Sequence, residues 1–430
     1  MSISTKLLSI SGASEKYWVM KLTSTSYALT ESVAVDSSGN VVTVGYYSEG
    51  GANRAFALMA DSEGSILWAN RVQSGSIRAA EFYDVAIDSN DNVICAGTAH
   101  NNVSNDAGAL IVSYSNAGST NWRFQYGNTA NGYTAELTGG VAVDSDDNIY
   151  ASGFANRAGH LGLFTKLNSS GTLQYWNNHQ GDGQIYVNKP IEINATEMAL
   201  ASQDSSYGNW RCVSKSNGSV AHSTSYGPTA EFYDIAKVPS TSDSIALGVT
   251  ENQGISGSWS ALLMSFTENG VLNWQKYLGV SGTNFRGRDI AIDSEGNIIV
   301  VLAQDGVGTG YIVKLNSSAT SIVWQKKINS ISANRERGTG LEITPNDDIC
   351  FSLVLGSNLN SSYLLKVPSD GEFAGTYSSL VISETTDVTL GTAAHSSISA
   401  NNQTGSLSSY ASLSDYSTGS ASLATTLYDI

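Results

Sequence analysis

The sequence is poor in charged residues, and its basic residues are the scarcest of them. Only 14% of the 430 residues are charged, and 22 lysines and arginines stand against 38 aspartates and glutamates. A protein that binds nucleic acid needs a cationic surface to displace counterions from the phosphates. The densest basic run is the short segment 335–337, so we expect neither nucleic acid nor an anionic membrane as a partner.

Long apolar runs are also missing. No stretch approaches the roughly 20 apolar residues that a membrane-spanning helix needs. The first 14 residues contain one lysine and only a short apolar segment, which is too little for a secretory signal peptide. The sequence therefore predicts no membrane insertion and synthesis in the cytoplasm without a signal peptide.

Cysteine and histidine are too few and too scattered to indicate a metal or redox site. Cys95, Cys212 and Cys350 lie far apart in apolar runs, and none of the five histidines has metal-ligand spacing. The chain has no nucleophile elbow, P-loop or dinucleotide fingerprint. We expect buried free thiols, no metal, no cofactor and no enzyme activity.

One pattern recurs along most of the chain: an apolar triplet, a polar turn and a second apolar run that usually contains glycine. Clear copies are VAVDSSGNVVTVG, VAIDSNDNVICAG, VAVDSDDNIYASG and IAIDSEGNIIVVL. With three weaker copies, the pattern begins at residues 33, 85, 141, 191, 235, 290 and 341, an average spacing of about 51 residues. A period of this length is typical of propellers and solenoids. The turn DSDDN at residues 144–148 is interpreted as a hairpin turn rather than a calcium loop.

Each period contains two further strand-like runs after this hairpin. The last of them is centred on tryptophan in most periods, as in ILWANRV around Trp68, while one period has His222 instead. Four short strands per period make one antiparallel propeller blade. The sequence thus predicts an all-β, seven-bladed β-propeller of four-stranded antiparallel blades at residues 15–377, with a lead segment at 1–14.

Two segments compete to complete the last blade. Trp18 in EKYWVMKL precedes Val33 by 15 residues, close to the separation of other tryptophans from the next repeat, which favours the N-terminal segment. The alternative is GEFAGTYSSLVI, which begins at Gly371. Closing a sheet with the first and last segments of the chain removes its open edge.

The final segment, residues 378–430, is rich in Ser, Thr, Ala and Gly with isolated Leu and Tyr. Such a composition cannot bury enough apolar surface to fold by itself. We interpret it as an extended C-terminal arm that orders against a neighbouring subunit, with a flexible tail as the alternative.

The tetrapeptide EFYD occurs at residues 81–84 and again at 231–234, in both cases just before a repeat. This link lies at the mouth of the channel in propellers, so the sequence predicts a ligand- or partner-binding rim there. The predicted rim residues are Glu81, Tyr83, Asp84, Glu231, Tyr233, Asp234, Arg286, Arg288, Arg335 and Arg337. The structural alternative is that the aromatic residues wedge between blades while the aspartates and arginines form a stabilising ring of ions.

The clear copies, with the tryptophan strand that follows them, resemble the bacterial seven-bladed β-propeller repeat family, whose consensus is close to DVAVDSSGNVYVTG. The resemblance covers residues 15–376 approximately and implies the fold. The family shares no catalytic residue, so it implies no particular chemistry. The copies that begin at Ile191 and Ile235 depart from the consensus turn.

In composition, the chain also resembles virion proteins of tailed marine phages such as cyanophages. This resemblance implies a non-enzymatic structural or adhesion protein of the virion, tail- or capsid-associated and made in the host cytoplasm. Its partners would be other virion proteins, reached through the C-terminal arm, and a host-surface glycan. Two other classes stay open: a surface or secreted glycan-binding propeller of a bacterium, and a propeller glycan hydrolase or lyase.

Overall fold

A computed structural model gives the conformation of most of the chain. It describes residues 2–8, 17–24, 26–72, 77–101, 107–126, 134–156, 160–179, 185–204, 207–227, 229–251, 259–304, 308–329, 339–355, 361–377, 380–394 and 397–398. Within these residues there is no helix that could span a membrane.

The regular elements of the described residues are 33 β-strands. In chain order they are β1 (Ser2–Leu8), β2 (Tyr17–Thr23), β3 (Ala28–Val35), β4 (Val41–Glu49), β5 (Ala52–Ala60), β6 (Ile66–Arg71), β7 (Ile77–Ile87), β8 (Val93–Asn101), β9 (Ala107–Tyr114), β10 (Thr120–Tyr126), β11 (Thr134–Val143), β12 (Ile149–Asn156), β13 (His160–Leu167), β14 (Leu173–His179), β15 (Ile185–Asn194), β16 (Glu197–Asp204), β17 (Tyr207–Ser214), β18 (Val220–Tyr226), β19 (Ala230–Lys237), β20 (Ser244–Glu251), β21 (Trp259–Phe266), β22 (Leu272–Gly279), β23 (Phe285–Ile292), β24 (Ile298–Gln304), β25 (Thr309–Leu315), β26 (Ile322–Asn329), β27 (Thr339–Ile343), β28 (Ile349–Leu355), β29 (Ser361–Val367), β30 (Gly375–Tyr377), β31 (Leu380–Glu384), β32 (Thr389–Thr392) and β33 (Ser397–Ile398).

The strands form seven antiparallel sheets, which confirms the predicted propeller. Blades 1 to 6 are β3–β6, β7–β10, β11–β14, β15–β18, β19–β22 and β23–β26, and blade 7 contains β27, β28 and β29. The first strand of each blade contacts the first strand of the next, and β27 of blade 7 contacts β3 of blade 1. The ring is therefore closed, with these seven first strands around its axis.

The N-terminal segment completes blade 7, as the position of Trp18 predicts. Strand β2 pairs antiparallel with β29, with Trp18 opposite Lys366, and β1 pairs with the outer edge of β2. The competing segment from Gly371 lies elsewhere, because β30 and β31 pair with each other and β31 pairs with β26 of blade 6. Strand β1 and strands β31 to β33 thus extend the sheets beyond the predicted propeller limits of 15–377.

The repeated turn between the first two strands is held by its own aspartate. Asp36 Oδ1 accepts hydrogen bonds from the backbone N–H groups of Ser38 (2.9 Å) and Asn40 (2.8 Å), and the Asn40 amide donates to Asp36 Oδ2. Asp144 holds the DSDDN turn in the same way through the backbone of Asp146 and Asn148. These local bonds explain the Asp and Asn of the pattern.

The fourth turn position links neighbouring blades. Asp91 has a φ of 59°, and its carboxylate accepts from the backbone and the hydroxyl of Ser37 in blade 1 at 2.9 and 2.7 Å. Asp147 binds Ser89 of blade 2 in the same manner. Asp147, the third acidic residue of DSDDN, therefore has a structural role, in agreement with the interpretation of that segment as a turn.

The tryptophans of the outer strands also join blades. Trp68 Nε1 donates to the carbonyl of Asn116 at 2.7 Å, and its ring packs against Gly118, where a Cβ would lie 2.7 Å from the ring. Trp18 packs in the same way against Gly64. In blade 4, where His222 replaces the outer tryptophan, the buried Trp210 of β17 contacts the equivalent glycine, Gly270.

The described part of the C-terminal segment corrects the prediction of an arm that orders against a neighbouring subunit. Strands β31, β32 and β33 pair with the outer strands β26, β22 and β18 of this same chain. Apolar side chains in or beside these strands pack between blades: Leu380, Val388 and Ala393 are at most 3% exposed and each belongs to a core cluster shared by two blades. Residues 399–430 lie outside the described residues.

Candidate functional site

Both EFYD copies lie on the first strand of a blade, and both contain a β-bulge at the tyrosine. Phe82 pairs with Gly97 and Asp84 with Ala96, so Tyr83 has no residue opposite it. Tyr233 occupies the same bulge in β19. A bulge turns one side chain away from the regular alternation, which explains how a sheet-forming segment directs a tyrosine towards the axis.

The glycine of the repeat makes the bulge possible. A Cβ on Gly97 would lie 2.0 Å from the carbonyl oxygen of Glu81, and a Cβ on Gly248 would lie 1.7 Å from that of Glu231. Only glycine permits this approach of the two backbones. The EFYD tetrapeptide and the glycine of the following strand thus belong to one local structure.

Each EFYD segment forms a hydrogen bond between its own side chains. The Tyr83 hydroxyl donates to the Glu81 carboxylate, and the Tyr233 hydroxyl donates to the Glu231 carboxylate. We call each of these segments, with this bond, an EFYD unit. The phenylalanines face the opposite way, and Phe82 and Phe232 are fully buried between blades, as the structural alternative expects.

The EFYD unit of blade 5 is joined by a cation and by a second aromatic residue. Arg286 Nη1 of blade 6 donates to the Tyr233 hydroxyl at 2.7 Å and lies 3.9 Å from Glu231 Oε2. The Arg286 guanidinium also stacks 4.0 Å from the centre of the Trp259 ring, a favourable cation–π geometry. Burial, and then the charge of Glu231, raise the pKa of Tyr233, so the phenol stays protonated.

The EFYD unit of blade 2 has an amide and two tyrosines among its neighbours. The Asn53 amide of blade 1 donates to the Glu81 carboxylate and accepts from the Tyr27 hydroxyl. The Tyr83 ring meets Tyr46 edge to face, with ring centres 6.3 Å apart. The same tetrapeptide therefore belongs to a cluster with an amide and tyrosines in blade 2 and to an ionic cluster in blade 5.

The aspartates of the two units are buried and hold the next blade. Asp84 accepts from the Val141 backbone N–H at 2.7 Å and from the Ser32 hydroxyl at 2.6 Å, and it is 7% exposed. Asp234 accepts from the Ile290 backbone N–H at 2.9 Å and is 5% exposed. These contacts favour the structural role that the sequence left open for the aspartates, since both carboxylates are buried and accept hydrogen bonds from the neighbouring blade.

A lysine that the sequence analysis did not select lies among these carboxylates. Lys189 of β15 lies 3.9 Å from Asp234, and its side chain is 26% exposed. Burial alone lowers the pKa of Lys189, but the charges of Asp234, Asp289, Asp84 and Glu342 raise it well above its usual value. The five side chains come from blades 2, 4, 5, 6 and 7, and we call them the hub cluster.

Three carboxyl groups of the hub cluster, those of Asp84, Asp289 and Glu342, bind protons more tightly than free ones. Burial is the largest cause that raises the pKa of Asp84 and of Glu342, and Lys189 opposes it at both. Burial, then the charge of Asp234, raise the pKa of Asp289 well above its usual value. Asp289 also accepts from the Leu341 backbone N–H at 3.0 Å and shares a hydrogen bond with Asp234.

The predicted rim is thus divided among three places. Glu81, Tyr83, Glu231, Tyr233 and Arg286 meet in the two EFYD units, while Asp84 and Asp234 belong to the hub cluster. Arg288 occupies the bulge of β23, and its charge acts on Tyr233. Arg335 and Arg337 lie outside the described residues.

The residues that sequence reasoning missed are Lys189, Glu342 and Trp259. Lys189 lies in an irregular stretch of β15, where two residues separate the paired Val187 and Pro190. For Lys189, the position at a bulge of the first strand is the feature that could have identified it. The predicted site residues Tyr83, Tyr233 and Arg288 lie at the same kind of irregularity.

Neither metal-ligand clusters nor reactive thiols mark another site in the described part of the chain. Among those residues, no group of histidine, cysteine and acidic side chains lies close enough together to hold a metal ion. The three cysteines are free and buried, and burial raises the pKa of the Cys95 and Cys350 thiols. These positions fit the predicted role of the cysteines as small core residues.

The fold and the geometry of the ring mouth define the class of this protein: it is a seven-bladed β-propeller with two EFYD units at its axis. No protein-family model and no curated protein sequence matches the chain.

Among solved structures, the chain is similar to Kuenenia stuttgartiensis hydrazine synthase, with a TM-score of 0.54 and 7% identity over 83% of this chain and 98% of that one. It is similar to the Dos1 propeller with a TM-score of 0.49 and 8% identity, over 80% and 94% of the two chains. Drosophila Semaphorin 1b, extracellular domains 1–2, gives 0.46 and 11%, over 81% and 86%. These similarities concern the fold.

Proposed function

We propose that the protein is a non-enzymatic binding propeller whose ligand site is the ionic EFYD unit of blade 5. The observation that supports this proposal is the stack of Arg286 on Trp259, with Tyr233 and Glu231 bound to the same guanidinium. Glu231 is 37% exposed and Trp259 is partly exposed, so both can reach a ligand. An aromatic face beside a carboxylate and a guanidinium suits the hydroxyl and carboxylate groups of a glycan.

The rival enzyme function would use Glu81 and Glu231 as a catalytic pair. Glycoside hydrolases of the common type place two carboxyl groups about 5 to 9.5 Å apart, where they act on one bond. Here Glu81 is bound by groups of blades 1 and 2, and Glu231 by groups of blades 5 and 6. Separate neighbours favour a structural and binding role for each glutamate over shared catalysis.

The narrower proposal is that this propeller belongs to a phage virion, where it contacts other virion proteins and a glycan of the host surface. Its support is the composition of the chain. The test is co-purification with particles from an infected culture. Recovery only as a free monomer in the medium would contradict the virion assignment and favour a secreted glycan-binding propeller of a bacterium.

The binding proposal is tested with a panel of immobilised bacterial surface polysaccharides. We expect Trp259→Ala to weaken the binding of a retained polysaccharide about tenfold, which corresponds to about 1.4 kcal/mol. The matched control is Tyr207→Ala, because Tyr207 is an exposed aromatic residue at the same position of blade 4. Equal binding by the wild type and Trp259→Ala, or equal losses in both variants, would reject the site.

A further inference from the structure

Trp176 of β14 differs from the other tryptophans of the outer strands. In β2, β6, β10 and β26 the tryptophan packs on a turn glycine of the next blade, and its indole N–H donates to a backbone carbonyl there. In β14 this place belongs to Tyr175, because a Cβ on the turn glycine Gly218 would lie 2.7 Å from the Tyr175 ring. Trp176 is the next residue of the strand, so its side chain points the other way, towards blade 2.

Trp176 forms a group of three aromatic rings with Phe124 and Tyr126 of β10. The centre of the Trp176 ring lies 4.2 Å from that of Tyr126 and 6.5 Å from that of Phe124. The Phe124 and Tyr126 rings have an interplanar angle of 3° and centres 6.3 Å apart. All three rings are half-buried and pack against the core that blades 2 and 3 share. We call this group the outer aromatic cluster.

The position of Tyr126 is covered in three other blades. Tyr126 pairs with Ala109, a small residue of the third strand. The same place in blades 4, 5 and 6 is held by Tyr226, Leu278 and Ile328. These three side chains are at most 2% exposed, and β33, β32 and β31 pair with them. In the described part of the chain no strand pairs with the outer edge of β10, and Tyr126 is only half-buried.

Two polar groups of the outer aromatic cluster, the Tyr126 hydroxyl and the Trp176 indole N–H, have no hydrogen-bond partner among the described residues. Burial raises the pKa of Tyr126 to about 12, and no charged side chain contributes to this shift, so the phenol stays protonated. The charged residue of β10, Arg123, alternates to the other side of the strand, where its charge acts on Tyr114. The cluster thus combines apolar ring faces with two neutral hydrogen-bond donors.

We propose that the outer aromatic cluster is a second sugar-binding site, which takes one neutral pyranose residue of a glycan. The ring faces pack against the C–H groups of the sugar, while the Tyr126 hydroxyl and the Trp176 indole N–H donate to its oxygens. A site without a cation of its own offers no ion pair to an acidic sugar, so its ligand differs from one that the ionic EFYD unit would bind. The proposal does not rest on that unit.

An added protein strand fits this edge less well than a sugar. In blade 6 the added strand β31 places Ile382 opposite Ile328, and both side chains belong to the core between blades 6 and 7. Beside Tyr126, the equivalent of Ile328, the Trp176 ring already packs from blade 3. A strand on β10 would therefore compete with Trp176 for the space that its own apolar side chain needs.

NMR of the full-length chain tests the site through its tryptophan. The indole N–H signals of the eight tryptophans are followed while maltohexaose, cellohexaose, mannohexaose or chitohexaose is added to about 10 mM. The signal that disappears in Trp176→Phe is that of Trp176. We expect at least one of these neutral sugars to shift this signal with a Kd of about 1 mM. The Trp68 and Trp324 signals should stay unchanged, because their N–H groups donate to backbone carbonyls.

Three variants measure what the outer aromatic cluster contributes to affinity. Trp176→Ala should weaken the binding of the sugar at least about tenfold, and Tyr126→Phe should weaken it about threefold through the loss of one hydrogen bond. Leu173→Ala is the matched control, because Leu173 is an exposed apolar residue of the same strand, and this variant should bind as the wild type does. Tyr126→Phe keeps its ring, so it tests the site even where Trp176→Ala does not fold.

Three results would overturn the proposal. One is an unchanged Trp176 signal with all four sugars, and a shift caused instead by the peptide LVISE, the sequence of β31, would show that the edge of β10 binds a strand. Another is equal affinity of the wild type and Tyr126→Phe, because the sugar would then lie elsewhere. The third is tighter binding of hexagalacturonate than of any neutral sugar, because the site would then select for charge.

Discussion

In blade 2 the tyrosine of the EFYD unit packs against Tyr46, and its glutamate partner binds the Asn53 amide. In blade 5 the equivalent tyrosine accepts a hydrogen bond from Arg286, which stacks on Trp259. Inside the two units the bulge and the bond between tyrosine and glutamate are the same. The repeated tetrapeptide thus determines the local backbone conformation. Residues of the neighbouring blades determine which polar and aromatic groups surround the tyrosine and the glutamate.

The aspartates of the two units show the same division. Asp84 has the Ser32 hydroxyl as its second partner, whereas Asp234 has Lys189 and the carboxyl group of Asp289. Both aspartates accept a backbone N–H of the next blade. Identical residues at equivalent positions therefore join the blades alike but have different second partners.

The largest effect should come from the feature that both units share. Phe82→Ala and Phe232→Ala should each lower the free energy of unfolding by about 3–5 kcal/mol, because both rings are fully buried between blades. Denaturant unfolding of the two variants measures this effect. Phe82→Leu and Phe232→Leu are the controls, and a large cost in only one blade would show that the units are not equivalent.

Lys189→Met should have the next largest effect. Loss of the ammonium group leaves the hub carboxylates without their cation, which should cost about 2–4 kcal/mol at pH 7. The cost should shrink near pH 4, because Asp84, Asp289 and Glu342 have raised pKa values and bind protons there. Unfolding of the variant at both pH values measures this difference.

Lys189→Arg is the matched control, because it retains the positive charge in the hub. A cost that is the same at pH 4 and pH 7 would show that Lys189 stabilises the ring by packing alone.

Asp289→Asn should change the pH dependence of stability by about 1–2 kcal/mol. The raised pKa of Asp289 means that the folded state binds its proton more tightly than the unfolded state. The wild type should therefore lose stability as the pH rises above about 4, the usual value of a carboxyl group. Asparagine carries no titrating proton, so the variant should lose less stability between pH 4 and pH 7 in unfolding titrations.

Glu295→Gln is a control for this titration, because Glu295 lies in the turn after β23, away from the hub cluster. Parallel stability curves for Asp289→Asn and the wild type would contradict the assignment of a raised pKa to Asp289.

The smallest effects should separate the two tyrosines. Tyr83→Phe removes one hydrogen bond to Glu81 and should cost about 0.5–1 kcal/mol. Tyr233→Phe also removes the acceptor of Arg286 and should cost slightly more, about 1–1.5 kcal/mol. Unfolding midpoints of the two variants compare them, and a larger loss from Tyr83→Phe would reverse the assignment of the ionic unit.

The fold could be predicted because each blade repeats a local code. The Asp and Asn of the turn bind their own backbone, and the Trp of four outer strands packs on a turn glycine about 50 residues later. These residues are visible in the sequence because they recur at the repeat spacing. The same spacing identified Trp18 as part of the last blade.

The sites could be predicted only in part, because they form where unlike blades meet. Lys189 lies in the link just before a weak copy of the repeat, and Trp259 begins a third strand, so neither matches a recurring pattern. Their partners lie in other blades, and only ring closure brings them together. Strands β31 to β33 were missed because they are short, with one to three apolar residues each, and depend on the edges they cover.

The central claim is that the ionic unit of blade 5, and not its counterpart in blade 2, binds the ligand. Hydrogen exchange with and without a polysaccharide retained in the binding panel tests it most directly. We predict slower exchange in β19, β21 and β23 and no change in β4 and β7. Protection of β4 and β7, with β19, β21 and β23 unaffected, would contradict the claim.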